Sequence, residues 1–107
     1  MIQDKTITDI LTRVTVRKFT DEPVGDEDLR LLLQAAMAAP SSMNLQPWHF
    51  IVVRDETVKQ CLKDCLPYAK MINKGCTGIV VCGDVSLYEH INKVDKEDNT
   101  LYWVQDC

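Results

Sequence analysis

Several features that would decide a function outright are missing from this chain. No apolar run approaches the ~20 residues needed to cross a bilayer, which argues against a membrane-spanning helix. No secretory pattern precedes the first charged residues, so a cytoplasmic protein is the expectation. Gly-x-Gly-x-x-Gly and Gly-Lys-Ser/Thr are both absent, which removes the dinucleotide fingerprint and the P-loop. Basic residues do not dominate: 12 Lys and Arg against 16 Asp and Glu give a net charge of -4, unlike a general nucleic-acid binder. Repeats, low-complexity stretches and an interdomain linker are absent too.

There is also no Cys-x-x-Cys pair among the five cysteines, Cys61, Cys65, Cys76, Cys82 and Cys107. An odd count without a leader argues against a disulfide framework. Cys61 and Cys65 would share a helix face, but the spacings match no zinc pattern. Buried free thiols packing as small apolar side chains are the expected arrangement.

What is present fits one domain. At 107 residues, with 46% hydrophobic and 26% charged, the chain suits a single modest core, over residues 1–107. Thr6 with Asp9 three residues on predicts a capped helix, along which Ile7, Ile10, Leu11 and Val14 recur at helical spacing, with Arg13 near its end. Asp21-Glu22-Pro23-Val24-Gly25 is a turn cluster. Asp26 then caps a helix to about Ala39, lined by Leu29, Leu32, Leu33 and Ala36 and stopped by Pro40.

Residues 49–54 are apolar and β-branched, a predicted strand. Val58, Cys61, Leu62, Cys65 and Leu66 form one stripe of a helix over 56–66. Gly78-Ile79-Val80-Val81-Cys82-Gly83 is uninterrupted and apolar, as in a strand covered on both faces. Residues 84–100 are polar and mixed in charge, predicting a short helix and an exposed connection; 101–107 has the pattern of the first turns of a helix. The fold class is therefore α/β (α+β layered), with helices over a sheet.

Two segments carry possible chemistry. Arg13-Val14-Thr15-Val16-Arg17-Lys18-Phe19 places two guanidinium groups and a hydroxyl within five residues. Planar guanidinium forks suit a phosphate, and in an extended run Thr15 and Arg17 would share a side. Arginines near a helix end, facing its carbonyls or surface carboxylates, explain the pattern equally well. The second segment, Pro40-Ser41-Ser42-Met43-Asn44-Leu45-Gln46-Pro47-Trp48-His49-Phe50, is a small polar loop running into an aromatic strand. It suits a flat heterocycle with polar edges. On local chemistry alone, a turn built from Pro, Ser and Asn is the first reading.

In order and separation these segments resemble the FMN-binding segments of the nitroreductase family of flavin oxidoreductases. Family members show Arg-x-Ser-x-Arg/Lys-x-Phe and then Pro-Ser-x-x-Asn-x-Gln-Pro-Trp-x-Phe. The Glu22-Pro23-Val24 turn, the 79–84 strand and Tyr102-Trp103-Val104-Gln105-Asp106 are similar as well. The resemblance implies a central sheet flanked by helices, of which this chain is the N-terminal part, the C-terminal part lying beyond Cys107. It implies FMN as cofactor, NAD(P)H as electron donor, and an electron-poor small-molecule acceptor such as a nitroaromatic or quinone.

By position, Arg13, Thr15 and Arg17 would hold the FMN phosphate and ribityl chain, with Val14 contributing backbone contact and Thr15 replacing the commoner serine. Pro40, Ser41, Ser42 and Asn44 would approach the flavin from the other subunit of an intertwined homodimer. Gln46 would support them, Trp48 and Phe50 would pack the core, and Tyr68 and Lys70 would lie near the ring. His49 and His90 are expected to take no part. The resemblance implies no acid–base dyad, nucleophile or metal cluster. The 107-residue chain alone is expected to bind FMN weakly or not at all unless completed. The alternatives are another reaction of the same superfamily, such as reductive dehalogenation, and a truncated, non-catalytic flavin-binding or dimerisation remnant.

Overall fold

The computed structural model describes residues 4–88 and 106–107. Three helices and a two-stranded sheet follow in the order α1 (Lys5–Thr12), α2 (Asp26–Met37), β1 (Trp48–Val53), α3 (Glu56–Cys65) and β2 (Gly78–Gly83). Single 3-10 turns lie at Ser42–Asn44 and Val85–Tyr88. The predictions for residues 89–105, including most of the expected helix start at 101–107, fall outside the described residues.

The cap of α1 is Asp4, not Thr6: its carboxylate accepts the Thr6 N–H at 2.9 Å. The helix ends at Thr12, so Arg13 stands one residue past it with φ -57 and ψ 130, and Val14 leaves it altogether. Local chemistry explains the early stop. Thr12, Val14, Thr15 and Val16 are β-branched and lose side-chain freedom in a helix. In α2 the cap position belongs to Gly25, and Asp26 is already helical. Asp26, Glu27 and Asp28 fill the first turn, where the helix dipole favours negative charge.

β1 and β2 pair antiparallel, from Trp48 opposite Gly83 to Val53 opposite Gly78. The expectation of a strand covered on both faces is not met within this chain, since Ile79 and Val81 of β2 and Ile51 of β1 are exposed. Antiparallel strands take a face that is covered and one that is not. α3 is capped by Asp55, which accepts the Val58 N–H at 3.0 Å. Its predicted stripe is not buried: Val58, Cys61, Cys65 and Leu66 are exposed and Leu62 is half-buried. Lys59 is the residue α3 buries.

Among the described residues, Leu29, Val53, Ala69 and Tyr88 are the buried hydrophobic side chains. The radius of gyration is 17.3 Å, against about 13 Å for a compact chain of this length. Layered helices and strands are present, with much of their apolar surface exposed. The cysteines are free as expected, but Cys61, Cys65 and Cys107 are exposed and Cys76 and Cys82 half-buried, so the thiols are not core residues. No described helix is long and apolar enough to cross a membrane.

Arg54, one residue past β1, donates to Asp26 Oδ1 at 2.6 Å and to the Val24 carbonyl at 3.0 Å, tying the start of α2 to the sheet. The hydrogen bond from Arg54 and its charge hold the Asp26 carboxyl below the usual carboxylate value. A depressed native pKa adds stability above the unfolded carboxylate value that is lost as the pH falls through the native one. Wild type and Asp26→Asn should therefore differ in urea midpoint at pH 6 and converge toward pH 2 to 3. The difference should shrink in salt, because both side chains are exposed.

Candidate functional site

Residues 13–20 have no regular structure and are exposed throughout, an arm lying on the surface. Among the described residues neither Arg13 nor Arg17 pairs with a carboxylate. Two forked cations and the Thr15 hydroxyl thus lie exposed on one arm, a donor set of the kind that suits an anionic ligand.

The far end of this arm is fixed. The Asn73 carboxamide donates to the Phe19 carbonyl at 3.3 Å and to the Thr20 carbonyl at 3.2 Å. Gly75 lies against Asp21 so closely that an added Cβ would sit 2.4 Å from the Asp21 carbonyl carbon. The turn holding these two residues is itself held by Lys59. Its ammonium donates to the carbonyls of Asn73 (3.2 Å), Lys74 (2.8 Å) and Cys76 (3.2 Å) and faces Glu56 Oε1 at 2.8 Å. An apolar cavity of about 390 Å³ lies beside it, lined by Phe19, Val24, Leu62, Met71 and Ile72 among others. Lys59 had no signal in the sequence, because Glu56 and Lys59 at i, i+3 look like a solvated surface pair.

The loop over 41–46 is built differently. Met43, Asn44 and Gln46 have φ of 53, 53 and 49, left-handed backbone that side-chain-bearing residues adopt at a cost. Local bonds hold it: the Asn44 N–H donates to the Ser41 carbonyl, the Leu45 N–H to the Ser42 carbonyl, and the Gln46 N–H to the Ser41 hydroxyl. At the loop's exit Pro47 is fully buried, and its carbonyl accepts the Asp84 N–H at 2.7 Å. At its entry the Ser42 N–H donates to Asp106 Oδ2 at 2.9 Å, across 64 residues of sequence. The same oxygen accepts the Tyr88 hydroxyl, and Tyr88 is 1% exposed. Burial first, then that hydrogen bond to Asp106, push the Tyr88 hydroxyl's pKa well above the ordinary tyrosine value. Among the described residues the Ser42 hydroxyl and the Asn44 carboxamide have no protein partner, so both remain open to a ligand.

Comparison with known proteins gives a match to the nitroreductase family model over residues 10–94. The chain belongs to the nitroreductase family. A relative from Archaeoglobus fulgidus, provisionally named an NADH dehydrogenase/NAD(P)H nitroreductase, is 39% identical over 98 residues, covering 92% of this chain and 52% of its own. The major NAD(P)H-flavin oxidoreductase of Aliivibrio fischeri is 33% identical over 93 residues, 86% of this chain and 42% of its own. A provisionally named nitroreductase from Desulfovibrio desulfuricans, solved in complex with FMN, superposes with a TM-score of 0.75 at 31% identity, over 98% of this chain and 60% of its own. The chain spans about half the length of curated relatives that it matches over nearly its whole extent.

This family member thus has the expected nitroreductase-like α+β fold, covering up to about 60% of such neighbours. The predicted site residues form two groups. Arg13, Val14, Thr15 and Arg17 lie along the exposed arm; Pro40 and Asn44 are exposed and Ser41 and Ser42 half-buried in the loop. Among the described residues no hydrogen bond or ion pair joins the two groups. Trp48 and Phe50 are half-buried, while His49, Tyr68 and Lys70 are exposed; His90 lies outside the described residues. Lys59, Asn73, Tyr88 and Asp106 are the supporting residues that sequence patterning did not single out.

Proposed function

We propose that the full-length protein containing this chain is an FMN-dependent oxidoreductase. It would take electrons from NAD(P)H and pass them to an electron-poor small molecule such as a nitroaromatic or quinone. The observation that carries this reading is the donor set: two guanidinium groups and a hydroxyl on one exposed arm, and the Ser42 hydroxyl and Asn44 carboxamide on a left-handed loop, none of them with a side-chain partner among the described residues. A phosphorylated, polar-edged ring system matches both halves. Membership of the nitroreductase family and the FMN complex of a relative support the same group.

FMN, when bound, supplies the redox chemistry itself. Arg13 and Arg17 would neutralise and orient its phosphate, Thr15 would donate to the chain leading from it, and Val14 would add backbone contact. Pro40, Ser41, Ser42 and Asn44 would meet the ring edge. Arm and loop are not joined by a hydrogen bond or ion pair among the described residues, which is compatible with a two-subunit site with loop and arm from opposite copies of a homodimer. The exposed Ile7, Leu11, Ile51 and Val81 supply apolar surface for that partner and for the rest of the domain, of which residues 1–107 would be the N-terminal part. A cytoplasmic location suits a soluble enzyme using NAD(P)H.

Absorbance between 350 and 500 nm, followed by FMN titration, tests the reading on purified full-length protein. Arg17→Ala should raise the FMN Kd roughly 10- to 100-fold, the equivalent of one charge-assisted contact, and Arg13→Ala should act in the same direction. Failure of the wild-type protein to carry or take up FMN would sink the proposal.

A further inference from the structure

The loop over 41–46 combines three left-handed residues and contains no cysteine. Conformations of that kind persist only where their surroundings over-determine them. Three of its anchors are local, since Ser41 and Ser42 accept from Asn44, Leu45 and Gln46. Such bonds would survive equally well if the whole loop swung on its ends.

One anchor is not local. Asp106 Oδ2 accepts from the Ser42 N–H and from the Tyr88 hydroxyl together. Tyr88 is buried and closes the turn over Val85–Tyr88, which begins two residues after the end of β2. Just before that turn, Asp84 donates its N–H to Pro47 at the loop's other end. The entry and exit of the loop are therefore referred to the same short stretch after β2, by Asp106 on one side and by backbone on the other. Of these links, the one through Asp106 is the one that depends on side chains, the Tyr88 hydroxyl and the Asp106 carboxylate, and ends on the Ser42 backbone N–H.

We propose that Asp106, oriented by Tyr88, is a positioning residue that holds the loop over 41–46 in its ligand-competent conformation. The Tyr88 hydroxyl points one carboxylate oxygen at the Ser42 N–H. The Ser42 hydroxyl and the Asn44 carboxamide are thereby set before any ligand arrives. The consequence for FMN rests on the functional reading above; the consequence for the loop does not.

Two measurements on the full-length protein separate them. The first is amide hydrogen exchange of the 42–46 peptide without flavin, with the β1 and β2 peptides as internal reference. Asp106→Ala should speed exchange in 42–46 by about tenfold, the loss of one hydrogen bond to a charged acceptor, and leave β1 and β2 unchanged. Asp106→Asn, which keeps an acceptor oxygen, should stay within about threefold of wild type, and Tyr88→Phe should fall between. Unchanged exchange in Asp106→Ala, uniform acceleration of all three peptides, or an asparagine variant as fast as the alanine one would overturn the proposal.

The second is the FMN Kd, which should follow the same order across the three variants. Equal FMN affinity in wild type and Asp106→Ala, despite a loosened loop, would overturn the ligand-competence part. A wild-type protein that takes up no FMN would refute the functional reading, and the exchange data would still decide the role of Asp106.

Discussion

Gly75→Ala is expected to destabilise the protein by about 3 kcal/mol, at the upper end of what overpacking costs. The added Cβ would lie 2.4 Å from both the carbonyl carbon and oxygen of Asp21 and 2.8 Å from its Cα. These are backbone atoms, which cannot turn aside as a side-chain tip can. Either the turn around Gly75 or the arm ending at Asp21 must move. Movement on either side strains the two hydrogen bonds from Asn73 to Phe19 and Thr20. The damage should then travel along the arm to Arg17 and Arg13, and FMN affinity should fall with stability. Urea denaturation of the full-length protein gives the first quantity and FMN titration the second. A change below about 1 kcal/mol, within the range of an ordinary surface substitution, would show that the approach of Gly75 to Asp21 relaxes at no cost.

How much of this was legible in the sequence depended on the range of the interaction. β1, β2 and α3 were predicted within a residue or so, and α2 within two at its C-terminal end, because hydrophobic period and turn residues act locally. The caps slipped where adjacent residues competed: Asp4 took the role expected of Thr6, and Gly25 that expected of Asp26. Burial was misjudged more seriously. The stripe Val58, Cys61, Leu62, Cys65 and Leu66 has the right spacing, but a stripe is buried only by what packs on it, and most of it faces outward here. The site motifs were visible as residue order. Their supports were not, since a lysine beneath a turn or an aspartate 64 residues from its amide leaves no period to detect.

The second large effect is expected at that lysine. Lys59→Met keeps the aliphatic stem and removes three donors, and should cost roughly 2–4 kcal/mol, since buried carbonyls left without partners lose about 1–3 kcal/mol each unless water reaches them. Two contributions could be at work, and they differ in size. Glu56 is 63% exposed, so its ion pair with Lys59 should contribute no more than about 1 kcal/mol. The carbonyls of Asn73, Lys74 and Cys76 converge on an ammonium whose side chain is only 4% exposed. Glu56→Gln separates the two: it should cost less than about 1 kcal/mol in the same urea experiment. If the two variants were equally damaging, the ion pair and not the carbonyl cage would be the support, and the arm would depend on salt. If Lys59→Met alone is severe, the support of the arm runs from α3 through the 73–76 turn to Phe19 and Thr20. Loosening there should also weaken FMN binding, although Lys59 is not among the residues proposed to touch the ligand.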